Sequence, residues 1–364
     1  MYQRYKFSIG KMKKEKKVLI VGSGLSGICV GIHSINSGHK VTLIDNLENK
    51  SSIIAAGQIN PMVFRRMTKS WRLDDFLPFA ENFYNDLTSK TTIPIYHPIT
   101  IRRMFSSDHE KVMWLEKQNT ERFEKYLEAI TEEDDNYSFA QNDFGSGRIK
   151  GSSYVDPIPF LIAGKKWIKD NGQLIEESAN YNDFNPELGT YKDELFDELI
   201  FCEGSNNNLN PWFGYLPVEH TKGEVLTIES DQINENESLN RKCFLLPIGK
   251  KHFRLGATYE WNTNNTELTE EGKADLLEKV QLLTKFPFEI IEHKAGIRPT
   301  SPDRRPIIGR HSEFSKLSIF NGLGTKGYLI APKLSEEFVQ FLDGEAELDK
   351  EVKLERYNKL LIQP

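Results

Sequence analysis

The stretch Lys16–Asp45, KKVLIVGSGLSGICVGIHSINSGHKVTLID, constrains the fold more than any other part of the chain. Val18 to Val21 is a run of apolar, mostly β-branched residues, the pattern of a strand buried on both faces. Gly22, Gly24 and Gly27 follow it at the spacing G-x-G-x-x-G. Gly22 lets the chain turn sharply out of the strand, Gly24 lets a pyrophosphate approach the backbone, and Gly27 lets the next helix pack against the sheet. The spacing predicts that helix over about Leu25 to Ser37, with Gly38 stopping it. Its free N–H groups and positive end then point at the phosphate, with Ser23, Leu25 and Ser26 in the phosphate-facing turn. Val41 to Ile44 reads as a second buried strand, and Asp45 stands at its end, 23 residues after Gly22. An acid there can accept hydrogen bonds from both ribose hydroxyls, and it disfavours a 2′-phosphate. Asn46 follows on the same ribose side. The unit is a dinucleotide site, and its motif alone does not separate FAD from NAD.

The chain has 364 residues, enough for two closely connected domains. A net charge of −6 gives no general attraction for nucleic acid, although it leaves room for a local basic patch. Cys29, Cys202 and Cys243 are far apart in sequence, lack metal-ligand spacing and suit a reducing, cytoplasmic setting, so no metal is expected. No apolar run reaches membrane-spanning length, and no membrane insertion is expected. Residues 1–16 read as a basic tail outside the fold, without the apolar core of a secretion signal. Met12 opens MKKEKKVLIVG, so the first eleven residues are expected to be disordered or to stem from an upstream start codon.

Beyond Asp45, the small residues Ser51, Ser52, Ala55, Ala56 and Gly57 suit a backbone lying against something flat. Apolar positions recur at helical spacing over Asp74 to Leu87, Ile93 to Phe105 reads as strands, and Asp108 to Glu133 as an acidic amphipathic helix. A helix is expected over Phe160 to Lys169, a short strand over Gln173 to Glu177, and a strand ending at Phe201 before Gly204. Strands follow at Val225 to Ile228, Cys243 to Pro247 and His252 to Thr258, with a hairpin turn at Gly249-Lys250, then a charged helix over Thr266 to Lys285. Ile307 to Gly309 and Leu317 to Phe320 read as strands, Gly322 to Gly327 as a second glycine-rich turn, and Tyr328 to Leu342 as a helix. In that turn Gly322, Gly324 and Gly327 let backbone N–H groups crowd a ligand, and the next helix points its positive end at the same spot.

Two C-terminal stretches, AGIRPTSPDRRPIIG (Ala295–Gly309) and FNGLGTKGYLIAP (Phe320–Pro332), taken with GSGLSG, closely resemble the D-amino-acid-oxidase-like family of FAD-dependent oxidoreductases. That family includes glycine oxidase, sarcosine oxidase, D-amino-acid dehydrogenase and the oxidase half of a bifunctional tRNA wobble-uridine modification enzyme. The resemblance spans Lys17 to about Leu342 and names the cofactor, FAD. It implies an α/β plus α+β architecture, a Rossmann-like FAD-binding domain interleaved with a mainly antiparallel substrate-binding domain. The first is expected from 17–75, 145–215 and 295–364, the second from 76–144 and 216–294. Gly22, Gly24, Gly27 and Asp45 match the ADP-binding motif, and Ser51 to Gly57, with Ala56 and Gly57, matches the loop along the flavin. Gly204 matches the glycine returning under the nucleotide, though Cys202-Glu203 stands where small residues are usual. Gly223 resembles the glycine that opens the substrate-domain sheet. Gly322, Leu323, Gly324, Thr325, Lys326 and Gly327 match the turn under the flavin pyrimidine. With no cysteine in that turn, non-covalent FAD is expected.

The resemblance makes Arg298 the partner of a substrate carboxylate, a role for which a planar guanidinium is better shaped than an ammonium. The alternative for Arg298 is an ion pair with a buried acid. Tyr259 is placed either to bond the carboxylate or to pack, and Lys326 either to add positive charge near the flavin or to sit in solvent. Arg304 and Arg305 are assigned to a surface turn, and His220, His252 and His293 to structure. The implied reaction is oxidation of the C–N bond of a small amino acid or N-substituted glycine, with hydride transfer to the flavin and hydrolysis of the imine. Such a reaction needs orientation and charge stabilisation more than a catalytic triad. The electron acceptor would be oxygen or a quinone. A second reading is oxidation of a glycine-like group on modified tRNA, where Arg65, Arg66, Lys69 and Arg72 can touch phosphates. A non-catalytic flavoprotein ranks last.

Overall fold

The computed structural model describes residues 14–46, 50–131, 137, 139–261, 263 and 265–360. The expectation for the first eleven residues lies outside them. Lys16, assigned to the tail, is part of the fold. Its Nζ lies 3.3 Å from a Glu198 oxygen and donates to the Leu342 carbonyl at 2.5 Å.

The buried apolar run at the start becomes strand Lys17–Val21, the third of six in one sheet. The order is Gln173–Ile175, Lys40–Ile44, Lys17–Val21, Glu198–Phe201, Leu317–Asn321 and Ile307–Arg310. The first five run parallel and the last is antiparallel. Helices Leu25–Asn36, Pro157–Asn171 and Gly327–Leu342 supply buried apolar faces to the core around this sheet. A Cβ on Gly27 would lie 1.8 Å from the Gly22 carbonyl oxygen, so helix and turn meet only because this residue is glycine.

The second sheet has eight strands and is mostly antiparallel. Its spine is Glu219–Glu229, paired along its length with Glu289–Thr300 on one side. On the other side it meets His252–Gly256 and then Glu260–Trp261. The chain passes between the two sheets several times, so the units are interleaved as the family resemblance implied.

Two helices are shorter than their patterns suggest. The one expected over Asp108 to Glu133 is Asp108–Gln118. There the chain folds back on itself: Trp114 Nε1 donates to the Glu128 carbonyl at 3.1 Å, and the Gln118 amide bonds both backbone groups of Ile130. The one expected over Thr266 to Lys285 is Glu270–Val280, because the Thr269 hydroxyl caps it by accepting the Gly272 N–H at 3.0 Å. The helix Leu73–Thr91 is longer than expected at both ends. Cys29, Cys202 and Cys243 are buried free thiols. Among the described residues no helix is long and apolar enough to cross a membrane, and no cluster of His, Cys, Asp and Glu could hold a metal ion.

Candidate active site

A cavity of about 710 Å³ is lined by residues of both sheets. Its size falls within the roughly 300–1,000 Å³ of pockets that enclose whole small ligands. One end opens where the parallel strands finish, at Val21-Gly22, Ile44-Asp45 and Cys202. Such crevices are where open α/β sheets hold ligands.

Gly22, Gly24, Leu25, Ser26, Asp45 and Asn46 all line this end. Gly22 has φ +101°, a conformation that only glycine adopts without strain. Asp45 Oδ2 accepts the Ser23 N–H at 2.6 Å, which fixes the acid across the mouth of the glycine turn. Ser23 and Gly27 stand behind the wall: neither is among the lining residues. The Leu25 N–H, in the first turn of the helix, donates to Ser52 Oγ at 3.1 Å. Ser52 is thus both a small residue of the loop and a tie between loop and helix end.

The second glycine-rich turn forms another wall through Leu323, Gly324, Thr325, Lys326 and Gly327. Gly322 shapes the turn from behind with φ +74°, its N–H donating to Asn321 Oδ1 at 2.8 Å. Helix Gly327–Leu342 begins here, and a Cβ on Gly327 would come within 2.9 Å of Leu25 Cδ2. Two helices therefore start side by side at the cavity and present two positive ends to it. Ala56, Gly57 and Gly204 line it as well. Arg254 Nη1 donates to the Ala55 carbonyl at 3.0 Å and so props the small-residue loop from the second sheet. Burial lowers the pKa of that guanidinium. The paired helix ends, the acid at the end of the second strand and the small-residue loop fit FAD as an elongated, anionic dinucleotide.

The other end of the cavity belongs to the antiparallel sheet. Arg298 lies in strand Glu289–Thr300 and faces the cavity together with Tyr259. Its guanidinium stacks on the Tyr259 ring, 4.5 Å from the centroid. Its hydrogen bonds are long, 3.4 Å from Nη1 to the carbonyls of Lys222 and Thr258. Among the described residues no carboxylate pairs with it. Burial lowers its pKa, and the electrostatic effect of the Tyr259 side chain opposes that shift. Gly223 explains how it fits: a Cβ there would lie 2.1 Å from a guanidinium nitrogen. Val225, Phe244, Ala257 and Met62 give the same region apolar walls.

Lys326 is not in solvent. Its Nζ donates to the Asn60 carbonyl at 2.8 Å and Ser70 Oγ at 2.6 Å, and burial brings its pKa down to about 8. It joins the second glycine turn to the Asn60–Met62 wall of the cavity. Of the four cations noted for phosphate contact, Lys69 is paired with Asp74, and Arg72 with Asp75 and Glu337. Arg65 and Arg66 are exposed. Arg305 pairs with Glu351 in a turn that also holds Arg304. His220 bonds the Ser205 carbonyl, His293 bonds Glu224, and His252 lies 3.7 Å from Glu229; none of the three lines the cavity.

Two charged lining residues, Glu177 and Glu203, were not read as site residues from the sequence. Glu203 accepts from Tyr181 Oη at 2.5 Å and from Asn210 Nδ2 at 2.7 Å. Burial pushes its pKa up to about 7 against those two donors.

Residues 17–340 match the family described as FAD dependent oxidoreductase, DAO. The chain is 25% identical over 313 residues to the tRNA 5-methylaminomethyl-2-thiouridine biosynthesis bifunctional protein MnmC of Legionella pneumophila, a match covering 82% of this chain and 46% of that protein. It thus spans about half the length of such relatives. It is 23% identical over 362 residues to a glycine oxidase of Bacillus licheniformis, covering 92% of this chain and 94% of that one. Among solved structures, a glycine oxidase from Bacillus cereus superposes with a TM-score of 0.77 at 19% identity, over 92% of this chain and 96% of that one, which shows a shared fold.

Proposed function

The chain belongs to the DAO family of FAD-dependent oxidoreductases, and from that premise we propose that it oxidises the C–N bond of a small amino acid or N-substituted glycine. Bound FAD would supply the acceptor for a hydride from the substrate α-carbon, with oxygen or a quinone taking the electrons onward. The amine lone pair then forms the C=N bond, and water hydrolyses that imine. The observation that carries the reading is Arg298, a half-buried guanidinium facing the cavity, for which no described residue supplies a carboxylate. A substrate carboxylate answers the cost of burying that charge. Tyr259 holds the guanidinium plane from one side. The apolar walls formed by Met62, Val225 and Phe244 keep bulk water from the reacting carbon. The Gly327 helix end, with Lys326 in the adjoining wall, would offer positive potential to the negative charge that reduced FAD carries.

The test is anaerobic mixing of the FAD-loaded protein with glycine, sarcosine, proline and D-amino acids, following loss of flavin absorbance. One class is expected to bleach it. Arg298→Ala should lower the apparent second-order rate by roughly 10²–10⁴-fold, in line with ~3–5 kcal/mol for leaving the substrate carboxylate without its partner. Arg298→Lys should recover little of it, because an ammonium lacks the two-pronged geometry. Bleaching at unchanged rate in Arg298→Ala would sink the assignment.

The relatives that carry a tRNA-modification name support a second reading, oxidation of a glycine-like group on RNA. Arg65 and Arg66 stand exposed a few residues beyond the cavity-lining Met62, and would be the first phosphate contacts. Two such contacts give a log–log salt slope of about −1.4 to −1.8 in tRNA retention. A flat salt response removes this reading.

A further inference from the structure

Glu203 has no part in the chemistry proposed above, yet it stands in the wall at the nucleotide end of the cavity. It follows Cys202, whose carbonyl oxygen lies 2.5 Å from where a Cβ on Gly22 would come, so it adjoins the glycine turn that faces a pyrophosphate. Both of its oxygens are engaged, Oε1 by Tyr181 and Oε2 by the buried Asn210. Those two donors favour the carboxylate, burial favours the neutral acid, and the balance leaves the pKa at about 7. A group so balanced is tipped by any charge that arrives beside it. Its ionisable neighbours hold their own charge near neutral pH. Burial raises the Tyr181 phenol and the Cys202 thiol well above their ordinary values, so both stay neutral. Glu177, in the same wall, pairs with Lys192 at 2.6 Å, which keeps its carboxyl ionised. Beyond these, Asp45 accepts the Ser23 N–H, His220 bonds the Ser205 carbonyl, and Lys326 stands in the wall of the second glycine turn.

The proton has a defined place to go. The Asn210 amide nitrogen can only donate, whereas a phenol both donates and accepts. With Glu203 ionised, the Tyr181 O–H is turned onto Oε1. With Glu203 neutral, its own O–H can donate to Tyr181 Oη, and the phenol hydrogen is free to turn into the cavity that Tyr181 also lines. One proton thus removes a negative charge and releases a donor, and an anionic ligand gains from both. We propose that Glu203 and Tyr181 form a proton-linked hold on FAD: Glu203 takes up one proton from solvent as the pyrophosphate arrives, and FAD is held more tightly in acid than in base. No bond of FAD forms or breaks. The inference concerns the cofactor alone and is independent of which amine is oxidised.

The test is titration of FAD into the full-length apoprotein from pH 6 to 8, read by quenching of flavin fluorescence. FAD carries a constant charge over this range, because both its phosphates are diesters. A like charge beside Glu203 would hold its proton to about one or two pH units higher, so the wild-type dissociation constant should rise roughly five- to tenfold from pH 6 to 8. Glu203→Gln keeps the size and both contacts of the neutral acid. It should bind FAD at pH 8 as wild type does at pH 6, within the roughly twofold that Lys326, with its pKa of about 8, can add. Calorimetry at pH 7.5 in buffers of different ionisation enthalpy should show wild type taking up about half a proton or more per FAD, and Glu203→Gln little. ADP-ribose carries the same pyrophosphate without the flavin ring that would approach Lys326. It should draw the same proton into wild type, which decides the matter if Glu203→Gln does not fold. A flat wild-type affinity, an equal pH response in Glu203→Gln, or uptake with FAD and none with ADP-ribose would overturn the proposal.

Discussion

Arg298 and Glu203 are two half-buried ionisable side chains in one cavity with opposite accounts. Arg298 was visible in the sequence, because its R-P context marks it by resemblance. The glycine that makes room for it, Gly223, was visible as the glycine that opens the substrate-domain sheet; that a guanidinium nitrogen occupies the place of its missing Cβ needs the pairing of two strands more than seventy residues apart. Glu203 was visible only as a departure from small residues. Its partners Tyr181 and Asn210 arrive from separate turns, and no local pattern joins them. Its pKa, raised by burial to about 7 from an ordinary carboxyl value of 4.5, has a consequence for stability. Between those two pH values the folded protein holds a proton that the unfolded chain has released. Stability from this residue is therefore full below about 4.5 and is lost as pH rises through 7. Glu203→Gln should gain stability relative to wild type as pH goes from 5 to 8, measured by urea denaturation of the FAD-free protein. A constant difference across that range would show that Glu203 does not titrate there.

At the scale of elements, the six strands of the parallel sheet and the two glycine turns were legible because each is set by residues adjacent in sequence, whereas Ser146–Ile149 and Glu237–Arg241 of the antiparallel sheet were not. Helix ends were less so. The apolar and acidic pattern after Gln118 continues in helical rhythm, yet the side chains of Trp114 and Gln118 capture the returning chain. The long pairing of Glu219–Glu229 with Glu289–Thr300 is the element that positions Arg298. Gly223→Ala tests it, since the added methyl must push the guanidinium or the strand aside, an overpacking cost of about 1–3 kcal/mol. The expected result is an unchanged flavin spectrum with methoxyacetate bound roughly tenfold or more weakly. Equal affinity would mean that the guanidinium has another place to go. At the dinucleotide end, Asp45→Ala should weaken FAD binding, read by fluorescence recovery on release, without altering carboxylate affinity of protein reloaded with excess FAD.

For the whole molecule, the cavity is walled by both sheets, so FAD should tie their unfolding together. At free FAD one hundred times its dissociation constant, stabilisation should be about 2.7 kcal/mol. Calorimetry should show one transition moving upward; an added transition unaffected by FAD would mean that the sheets unfold independently. Strand Lys17–Val21 lies in the middle of the parallel sheet, with Lys40–Ile44 on one side and Glu198–Phe201 on the other. The first neighbour is made almost at once. The second is 180 residues away, as in the bond from the Lys17 N–H to Asp197. At about 5–20 residues per second, a ribosome takes roughly 10–40 s to deliver it. During that interval a strand of Val, Leu and Ile has an open edge that any passing strand can pair with. The strand that leads into the glycine motif thus gains one edge at once and the other late, an interval in which shielding of the open edge bears on how well the chain folds.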